Sequence, residues 1–268
     1  MMIASSSFSS LYDIFAAATN ANQPTAKSKD VKIEYSHTPF TDTAEINVTG
    51  GKSNIRISED INGAFIANIN DVLYDLGIDN KRTNAIKINT DSFDDTIIFE
   101  DGVKVKAYIH SGAGNDYVRT GDRRSRVDAG DGDNEVHLGV EGGTARGGNG
   151  NDKLYGGGMW NTLEGGSGNN TLSTSPDARS TTYITSAGAT DTVSALAGIV
   201  DIKVSGGADI HIAGGLEKLS ISLGQSSTGS TITLDDPQDL HKLQHIQSDF
   251  KILGSVPDKD ALRVRQDT

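Results

Sequence analysis

Oxygen-bearing side chains recur at a fixed interval in the middle of this sequence, each at the end of a glycine-rich turn. Four nine-residue frames start 18 residues apart, and each has Asp or Asn at its sixth position. These frames are SGAGNDYVR (111–119), AGDGDNEVH (129–137), GGNGNDKLY (147–155) and GGSGNNTLS (165–173). Glycine at the fourth position, as at Gly114 and Gly132, lets the backbone curl so that carbonyl groups point towards a common centre. The segment therefore predicts turns that gather carbonyl, carboxylate and amide oxygens.

The elements that position these turns can be predicted from the same spacing. Weaker frames lie between the strong ones, at 120–128, 138–146 and 156–164, so two nonapeptides make one coil of 18 residues. Each nonapeptide is a six-residue turn followed by a three-residue strand whose middle side chain points inward. The sequence predicts one inward column of Val118, Val136, Leu154 and Leu172, and a second of Val127, Ala145 and Leu163. Successive coils would pair as parallel strands about 4.8 Å apart.

This repeat resembles the RTX family, the hemolysin-type calcium-binding repeats, whose nonapeptide is G-G-x-G-x-D-x-U-x. The resemblance covers residues 111–173, with weaker echoes at Asp94-Asp95, Thr190-Asp191 and Ala208-Asp209. It implies Ca²⁺ held between neighbouring coils by turn carbonyls and sixth-position side chains. The implied ligand region comprises Asp116, Asn134, Asp152 and Asn170, the neighbouring Asp131 and Asp133, and the turn glycines Gly112, Gly114, Gly130, Gly132, Gly148 and Gly150. Because two of the four sixth positions are Asn, the affinity should fall below that of a full repeat.

The opposite edge of the coils is a poorer match. Its fourth positions are Arg123, Glu141 and Met159, and its sixth positions are Ser125, Gly143 and Asn161. We therefore expect calcium on one edge only, in about two or three sites. The alternative is a glycine-turn solenoid that has lost metal binding.

Outside the repeats the sequence predicts short strands separated by turns. Alternating segments such as Val31–Tyr35 and Ile55–Ile57 indicate strands with one buried face. The predicted fold is all-β, a right-handed parallel β-helix or β-roll solenoid over residues 31–254 with irregular, capping ends. Helices are predicted at two places only, near Asn70–Leu76 and over Asp239–Ile246.

Two outward-facing rows accompany the predicted inward columns. His110, Asp128, Arg146 and Glu164 alternate in charge and should pair along one face. Arg119, His137, Tyr155 and Ser173 form the other row, of a kind that parallel β-helix polysaccharide lyases and epimerases use. The sequence contains none of the larger catalytic-domain motifs, and an acidic surface is poor for binding a polyuronate. We therefore favour a protein without enzymatic activity.

Composition limits the partners. The chain has 36 acidic against 24 basic residues and a formal net charge of −12, which disfavours nucleic acid and anionic membrane surfaces. It has no cysteine, so disulfides and thiolate chemistry are excluded. No run approaches the roughly 20 apolar residues that span a membrane. We expect a monomer whose partners are calcium ions and either a host protein or a surface glycan.

The two ends differ from the solenoid. Residues 1–30 contain a cluster of serines and no acidic residue before Asp13, and we expect a flexible export leader that resembles those of type III secretion substrates. An ordinary frayed terminus is the alternative. Residues 255–268 are charged, and we expect a frayed tail.

Together these features predict an exported bacterial calcium-binding β-roll protein. We expect it to be secreted as a non-enzymatic effector or accessory virulence protein, with the extracellular space or a host cell as its destination. Two alternatives remain: a β-helix polysaccharide lyase or epimerase, and a structural or adhesive surface module.

Overall fold

The computed structural model describes residues 30–38, 41–81, 84–177, 179–187, 190–213, 216–224, 230–235, 243–244 and 251–253. Across these ranges the chain is all-β, without a helix, and forms 23 strands. Their bounds are β1 Asp30–His37, β2 Asp42–Thr49, β3 Asn54–Glu59, β4 Ala64–Ile69, β5 Val72–Asp79, β6 Asn84–Asn89, β7 Thr96–Phe99, β8 Lys106–His110, β9 Tyr117–Arg119, β10 Ser125–Asp131, β11 Glu135–His137, β12 Gly142–Asn149, β13 Lys153–Tyr155, β14 Trp160–Ser167, β15 Thr171–Ser173, β16 Thr181–Ser186, β17 Thr190–Ala195, β18 Gly198–Val204, β19 Gly207–Ile212, β20 Leu216–Leu223, β21 Thr231–Leu234, β22 Leu243–Gln244 and β23 Lys251–Leu253.

The strands belong to two long sheets. Sheet A has the order β1-β2-β6-β8-β10-β12-β14-β16-β18-β20-β22, and sheet B has the order β23-β21-β19-β17-β15-β13-β11-β9-β7-β3-β4-β5. From β6 onwards, consecutive strands alternate between the sheets and pair in parallel with the coils on either side. The chain therefore winds as a parallel β-solenoid, and the predicted fold class is confirmed.

The repeat coils keep the predicted 18-residue register. In sheet B, Val136 lies opposite both Val118 and Leu154, and Leu154 lies opposite Leu172. In sheet A the matching column is Val127, Ala145 and Leu163. All seven side chains are fully buried. Each is covered by the coils above and below it, and burial of such a side chain contributes about 1.5–3 kcal/mol.

The predicted charge row lies on the outer face of sheet A. Asp128 is opposite His110, and their side chains approach to 3.8 Å. Arg146 is opposite Glu164, and Arg146 Nε lies 2.5 Å from Glu164 Oε2. The row is therefore present as a His110–Asp128 contact and an Arg146–Glu164 ion pair, each between neighbouring coils.

The N-terminal end of the solenoid is closed by antiparallel strands, which we call the N-terminal cap. Strand β1 pairs antiparallel with β2, and β3, β4 and β5 form an antiparallel meander at the end of sheet B. Several of the largest fully buried side chains lie in this cap, among them Phe65, Ile55 and Leu76. They cover the end of the solenoid, where no further coil pairs with the strands.

The helix predicted near Asn70–Leu76 is wrong. Asn70 and Asp71 have φ angles of 51° and 68°, and they form a two-residue turn between Ile69 and Val72. Asn and Asp tolerate this left-handed conformation, and such a turn joins antiparallel strands. The following residues then alternate, with Leu76 and Ile78 buried, as a strand requires.

At the C-terminal side the coils continue to β23, with a register shift between Gly198 and Ile199. The helix predicted over Asp239–Ile246 is wrong at Leu243–Gln244, which form β22 beside β20. The rest of that segment lies outside the described residues, as do the predicted leader up to residue 29 and the tail 255–268.

Candidate metal site

The turns that lead from sheet A to sheet B in the repeat coils form one edge of the solenoid, here called the first edge: residues 111–116, 129–134, 147–152 and 165–170. Gly130 and Gly132 have φ angles of 95° and 121°, in the left-handed region that favours glycine. A Cβ at either position would lie within 3.0 Å of a carbonyl oxygen of the preceding coil, that of Gly112 or Gly114. The same holds at the second and fourth positions of the next coil, Gly148 and Gly150. Glycine is therefore required both for the turn and for close stacking of the coils.

Sixth-position side chains form a buried ladder along this edge, here called the Asx ladder. Its members are Asp95, Asp116, Asn134, Asp152, Asn170 and Asp191, each at most 2% exposed. In each step the Oδ1 of one residue accepts the backbone N–H of the residue one coil earlier. Asp116 Oδ1 accepts from Asp95 at 2.7 Å, Asn134 Oδ1 accepts from Asp116 at 2.9 Å, and Asp152 Oδ1 accepts from Asn134 at 2.9 Å. The last two steps run to Asn170 and Asp191 at 2.9 and 2.8 Å.

Three carboxylates of the Asx ladder keep one oxygen without a hydrogen-bond partner. These atoms are the buried Oδ2 of Asp95, Asp116 and Asp152. No Lys, Arg or His among the described residues forms an ion pair with any of the three. Burying a carboxylate without a counter-charge is unfavourable, so these groups favour either a proton or a bound cation.

Burial also changes how these groups titrate. It raises the pKa of Asp116 to about 6, against the opposing effect of the hydrogen bond from the Asp95 amide. It likewise raises the pKa of Asp152 to about 6, opposed by the hydrogen bonds from Asn134. The pKa of Asp95 is raised for the same reason. Neutral pH therefore places ionised, desolvated carboxylates inside the first edge.

The first position of each frame faces the sixth across the turn. In the coil of Asp191, Ser186 fills this place, and its hydroxyl donates to Asp191 Oδ2 at 2.7 Å. In the coil of Asp152 the first position is Gly147. A Cβ at Gly147 would collide with Asp152 Oδ2 and with the carbonyl oxygen of Gly165 in the next coil. A carboxylate oxygen and a carbonyl oxygen thus face a space that only glycine leaves open.

The structure separates the predicted acidic ligands into a buried and an exposed layer. Asp116 and Asp152 are buried, whereas Asp131 and Asp133 lie on the exposed side of the turn. Asp133 Oδ1 accepts the backbone N–H of Asn151 at 2.7 Å, and Asp131 Oδ1 accepts from a side-chain amide at 2.7 Å. Both exposed carboxylates therefore already bind the following coil.

Two of the turn carbonyls predicted as ligands already accept hydrogen bonds. Gly112 O accepts the N–H of Asp131 at 2.9 Å, and Gly132 O accepts from Asn134 Nδ2 at 3.1 Å. The Gly112 carbonyl therefore bonds the next coil and the Gly132 carbonyl bonds a side chain of its own turn, so these two carbonyls do not share one centre. In the described part of the chain, no group of three or more His, Asp or Glu side chains lies close enough to hold a metal ion. A cation at the first edge would need amide and carbonyl oxygens as well, which calcium accepts.

Sequence reasoning did not place Asp95 and Asp191 among the ligands, although it noted both as echoes. Each lies 21 rather than 18 residues from its neighbour in the ladder. The third echo is displaced, because Ala208 rather than Asp209 lies opposite Asp191. Asp209 faces outward and accepts from Thr231 Oγ1 at 2.5 Å.

The turns at 120–124, 138–141 and 156–159 form the second edge, which contains no such ladder. There, Asn161 accepts from Gly157 N at 2.7 Å and donates to Gly157 O at 3.0 Å in its own turn. It also donates to Thr182 Oγ1 of the next coil at 3.2 Å. A groove of about 650 Å³ runs beside these turns and is lined in part by Arg119 and His137. His137 stacks on Tyr155 with ring centroids 4.4 Å apart, in the row predicted from the sequence.

No protein-family model, curated protein or solved structure matches this chain. In the described ranges, no helix is long and apolar enough to cross a membrane. The assignment of a function therefore depends on the geometry of the two edges and on the sequence resemblance.

Proposed function

We propose that this chain is an exported calcium-binding β-roll protein that acts as a scaffold rather than as an enzyme. The observation that carries the proposal is the pair of buried, unpartnered carboxylate oxygens on Asp116 and Asp152. Neither carboxylate has a cationic side chain to balance it. A divalent cation would supply that charge at the edge where the RTX-like frames are strongest.

The donor set at the first edge fits a hard cation. Asp116 and Asp152 would contribute carboxylate oxygens, and Asn134 and Asn170 amide oxygens. The turn carbonyls of Gly114, Gly132 and Gly150, with those of Gly112, Gly130 and Gly148, would complete the ligand supply, since a carbonyl oxygen that accepts one hydrogen bond keeps a second lone pair. Asp131 and Asp133 would add negative charge on the solvent side. When bound, calcium supplies positive charge that neutralises the buried carboxylates.

Because Asn replaces Asp at two of the four repeat sixth positions, we infer weaker binding than in a full repeat. Weak sites suit a protein that responds to a large change in calcium between compartments. In the RTX-like proteins that this chain resembles, calcium is scarce inside the cell and abundant outside. Metal binding to the folded state then adds to the folding free energy only after export.

The destination we favour is the extracellular space or a host cell, reached by a secreted effector or accessory virulence protein. The serine-rich leader supports export. Unchanged secretion after deletion of residues 2–25, in a host that secretes the whole chain, would contradict export through this leader.

The proposal is tested by urea unfolding in calcium-free buffer and in excess calcium. We expect calcium to raise the unfolding free energy of the wild-type chain, and Asp152→Asn to remove most of that increase. Asp101→Asn is the matched control, because the Asp101 side chain is 92% exposed and lies outside the first edge, in the turn between β7 and β8. Equal calcium stabilisation in all three proteins would contradict the assignment of Asp152.

A second candidate is a polysaccharide lyase or epimerase, favoured by the groove at the second edge. His137 Nε2 donates a hydrogen bond to Glu135 Oε1 at 2.7 Å, and His137 would serve as the proton-transferring group beside Arg119. Four carboxylates, those of Glu100, Asp101, Asp122 and Asp177, also line the groove and would repel a polyuronate. The test is release of unsaturated uronate from a uronan. If the wild type releases it and His137→Ala does not, the protein is a lyase rather than a non-enzymatic scaffold.

A further inference from the structure

The N-terminal cap meets the first coils at a cleft of about 580 Å³, here called the junction cleft. Its lining brings together the ends of β3 and β5, the start of β6, and the turns before β8 and β10. The lining residues are Glu59, Asn80, Lys81, Asn84, Gly102, Lys104, Lys106 and Arg123. Four of them are basic and one is acidic, in a chain whose net charge is −12.

Lys104 and Lys106 are the central feature of the junction cleft. They alternate with the buried Val103 and Val105, so both ammonium groups lie on the outer face. Within the described residues, neither lysine forms an ion pair with a carboxylate. Strand β8 lies in the interior of sheet A, between β6 and β10, so these lysines do not protect a sheet edge from aggregation.

The other charged groups leave the cleft positive. Glu59 is the one carboxylate of the lining, and its Oε1 accepts from Asn80 Nδ2 at 2.5 Å. Lys81 approaches Asp79 only to 3.5 Å with 71% of its side chain exposed, and Arg123 approaches Glu141 to 3.6 Å with 53% exposed. Such exposed pairs are weak, so both cations can turn to a bound anion. A concave site with one sign of charge concentrates its field on a small ligand.

We propose that the junction cleft binds a small ligand carrying two or more sulfate or phosphate groups. A long polyanion is disfavoured, because the acidic surface beyond the cleft would repel it. Lysine ammonium groups bind oxyanions as point charges, and the cleft volume falls in the range of small-ligand sites. Sulfated saccharides and phosphorylated sugars share this chemistry, and they are distinguished by the choice of probe.

The test is calorimetric titration at low ionic strength with a doubly sulfated disaccharide, a bisphosphorylated sugar and the unsulfated disaccharide. We expect saturable binding of at least one anionic probe and none of the neutral one. Lys104→Ala/Lys106→Ala should weaken that binding about tenfold, since two charge pairs are lost. If only one anionic probe gives saturable heat, the ligand class is that of the probe, either sulfated saccharides or phosphorylated sugars.

The matched control is Lys52→Ala/Lys203→Ala, which removes the same charge from two exposed lysines outside the cleft. It should bind the probe as the wild type does. Arg123→Gln supplies a second variant in the cleft and should also weaken binding. Equal weakening in the control, or no saturable heat with either anionic probe, would overturn the proposal.

Discussion

The first and second edges are built on the same coils yet differ in what their sixth positions do. At the first edge, Asn134 and Asp152 accept backbone N–H groups from the preceding coil, and the ladder they belong to extends to Asp95 and Asp191. At the second edge, the Asn161 amide bonds Gly157 in its own turn and donates to the Thr182 hydroxyl of the next coil, but it accepts no backbone N–H from another coil among the described contacts. The first edge therefore has a continuous side-chain ladder, whereas the coils of the second edge are joined by other contacts, such as the hydrogen bond from Glu141 N–H to Asp122 O at 2.9 Å.

This difference shows that solenoid formation and edge chemistry are separate properties of the sequence. Each inward column requires only one apolar residue per strand. These residues are fully buried in both sheets, although the turns of the two edges differ. The Asx ladder adds buried carboxylates that the fold does not need for packing, since Asn134 fills the same place with a neutral side chain. Burying an ionised carboxylate costs desolvation free energy. The presence of such groups at the first edge therefore favours a role in binding a cation.

The largest expected effect comes from substituting a glycine of the first edge. Gly130→Ala places a methyl group against the Gly112 carbonyl of the preceding coil, in addition to straining a residue with a φ of 95°. We expect a loss of about 3–5 kcal/mol in the free energy of unfolding, measured in urea.

Gly50→Ala is the control for backbone strain alone. Gly50 has a φ of 89°, but a Cβ there would meet no atom within 4 Å. It should cost only about 1 kcal/mol. Equal losses in the two variants would mean that close stacking of the first edge contributes nothing.

The next effect concerns pH in the absence of calcium. The ordinary pKa of 3.8 applies to Asp116 and Asp152 in the unfolded chain, and burial raises both to about 6 when folded. The folded state therefore binds these protons more tightly, and the unfolding free energy should rise as pH falls from 7 through 6 towards 4. The gain should be about 2–3 kcal/mol for each carboxyl.

Asp116→Asn/Asp152→Asn should lack this gain, because neither side chain can then titrate. The comparison is made by urea unfolding at pH 4, 5, 6 and 7 in both proteins. Saturating calcium should also remove the gain from the wild type, since a bound cation favours the ionised form. Parallel pH profiles for variant and wild type would contradict the assigned titration.

The smallest effect is expected outside both edges, at the Arg146–Glu164 pair on sheet A. Both side chains are more than a third exposed, so the pair should contribute less than about 1 kcal/mol. A double-mutant cycle with Arg146→Ala and Glu164→Ala measures the coupling, which should weaken further in high salt. A coupling above about 2 kcal/mol would show that register is held by the outer face rather than by the edges.

The repeat coils could be predicted from the sequence because their chemistry is periodic. A strict 18-residue interval places Val118 over Val136 and Asp116 beside Asn134 whatever the details of the turns. The prediction weakens where the interval changes. Asp95 and Asp191 join the Asx ladder across 21-residue coils, which a fixed frame of 18 does not align.

Other features depend on contacts that no local pattern contains. The N-terminal cap turns at Asn70-Asp71, where two residues of positive φ produce a hairpin in a segment whose apolar spacing also fits a helix. The open space at Gly147 and the unpartnered Asp152 oxygen arise from the stacking of adjacent coils. The junction cleft likewise joins the cap to residues some 40 positions further along the chain, such as Arg123.

The central claim is that a cation binds at the buried carboxylates of the first edge. Its most direct test is calorimetric titration of calcium into the wild-type chain and into Asp116→Asn/Asp152→Asn. The control of equal charge is Asp101→Asn/Glu217→Gln, at two exposed carboxylates outside the first edge. We predict saturable heat from the wild type and the control, and none from the buried-site variant. Absence of saturable binding in the wild type, or the same heat from all three proteins, would contradict the claim and leave the Asx ladder as a hydrogen-bonded support for the coils.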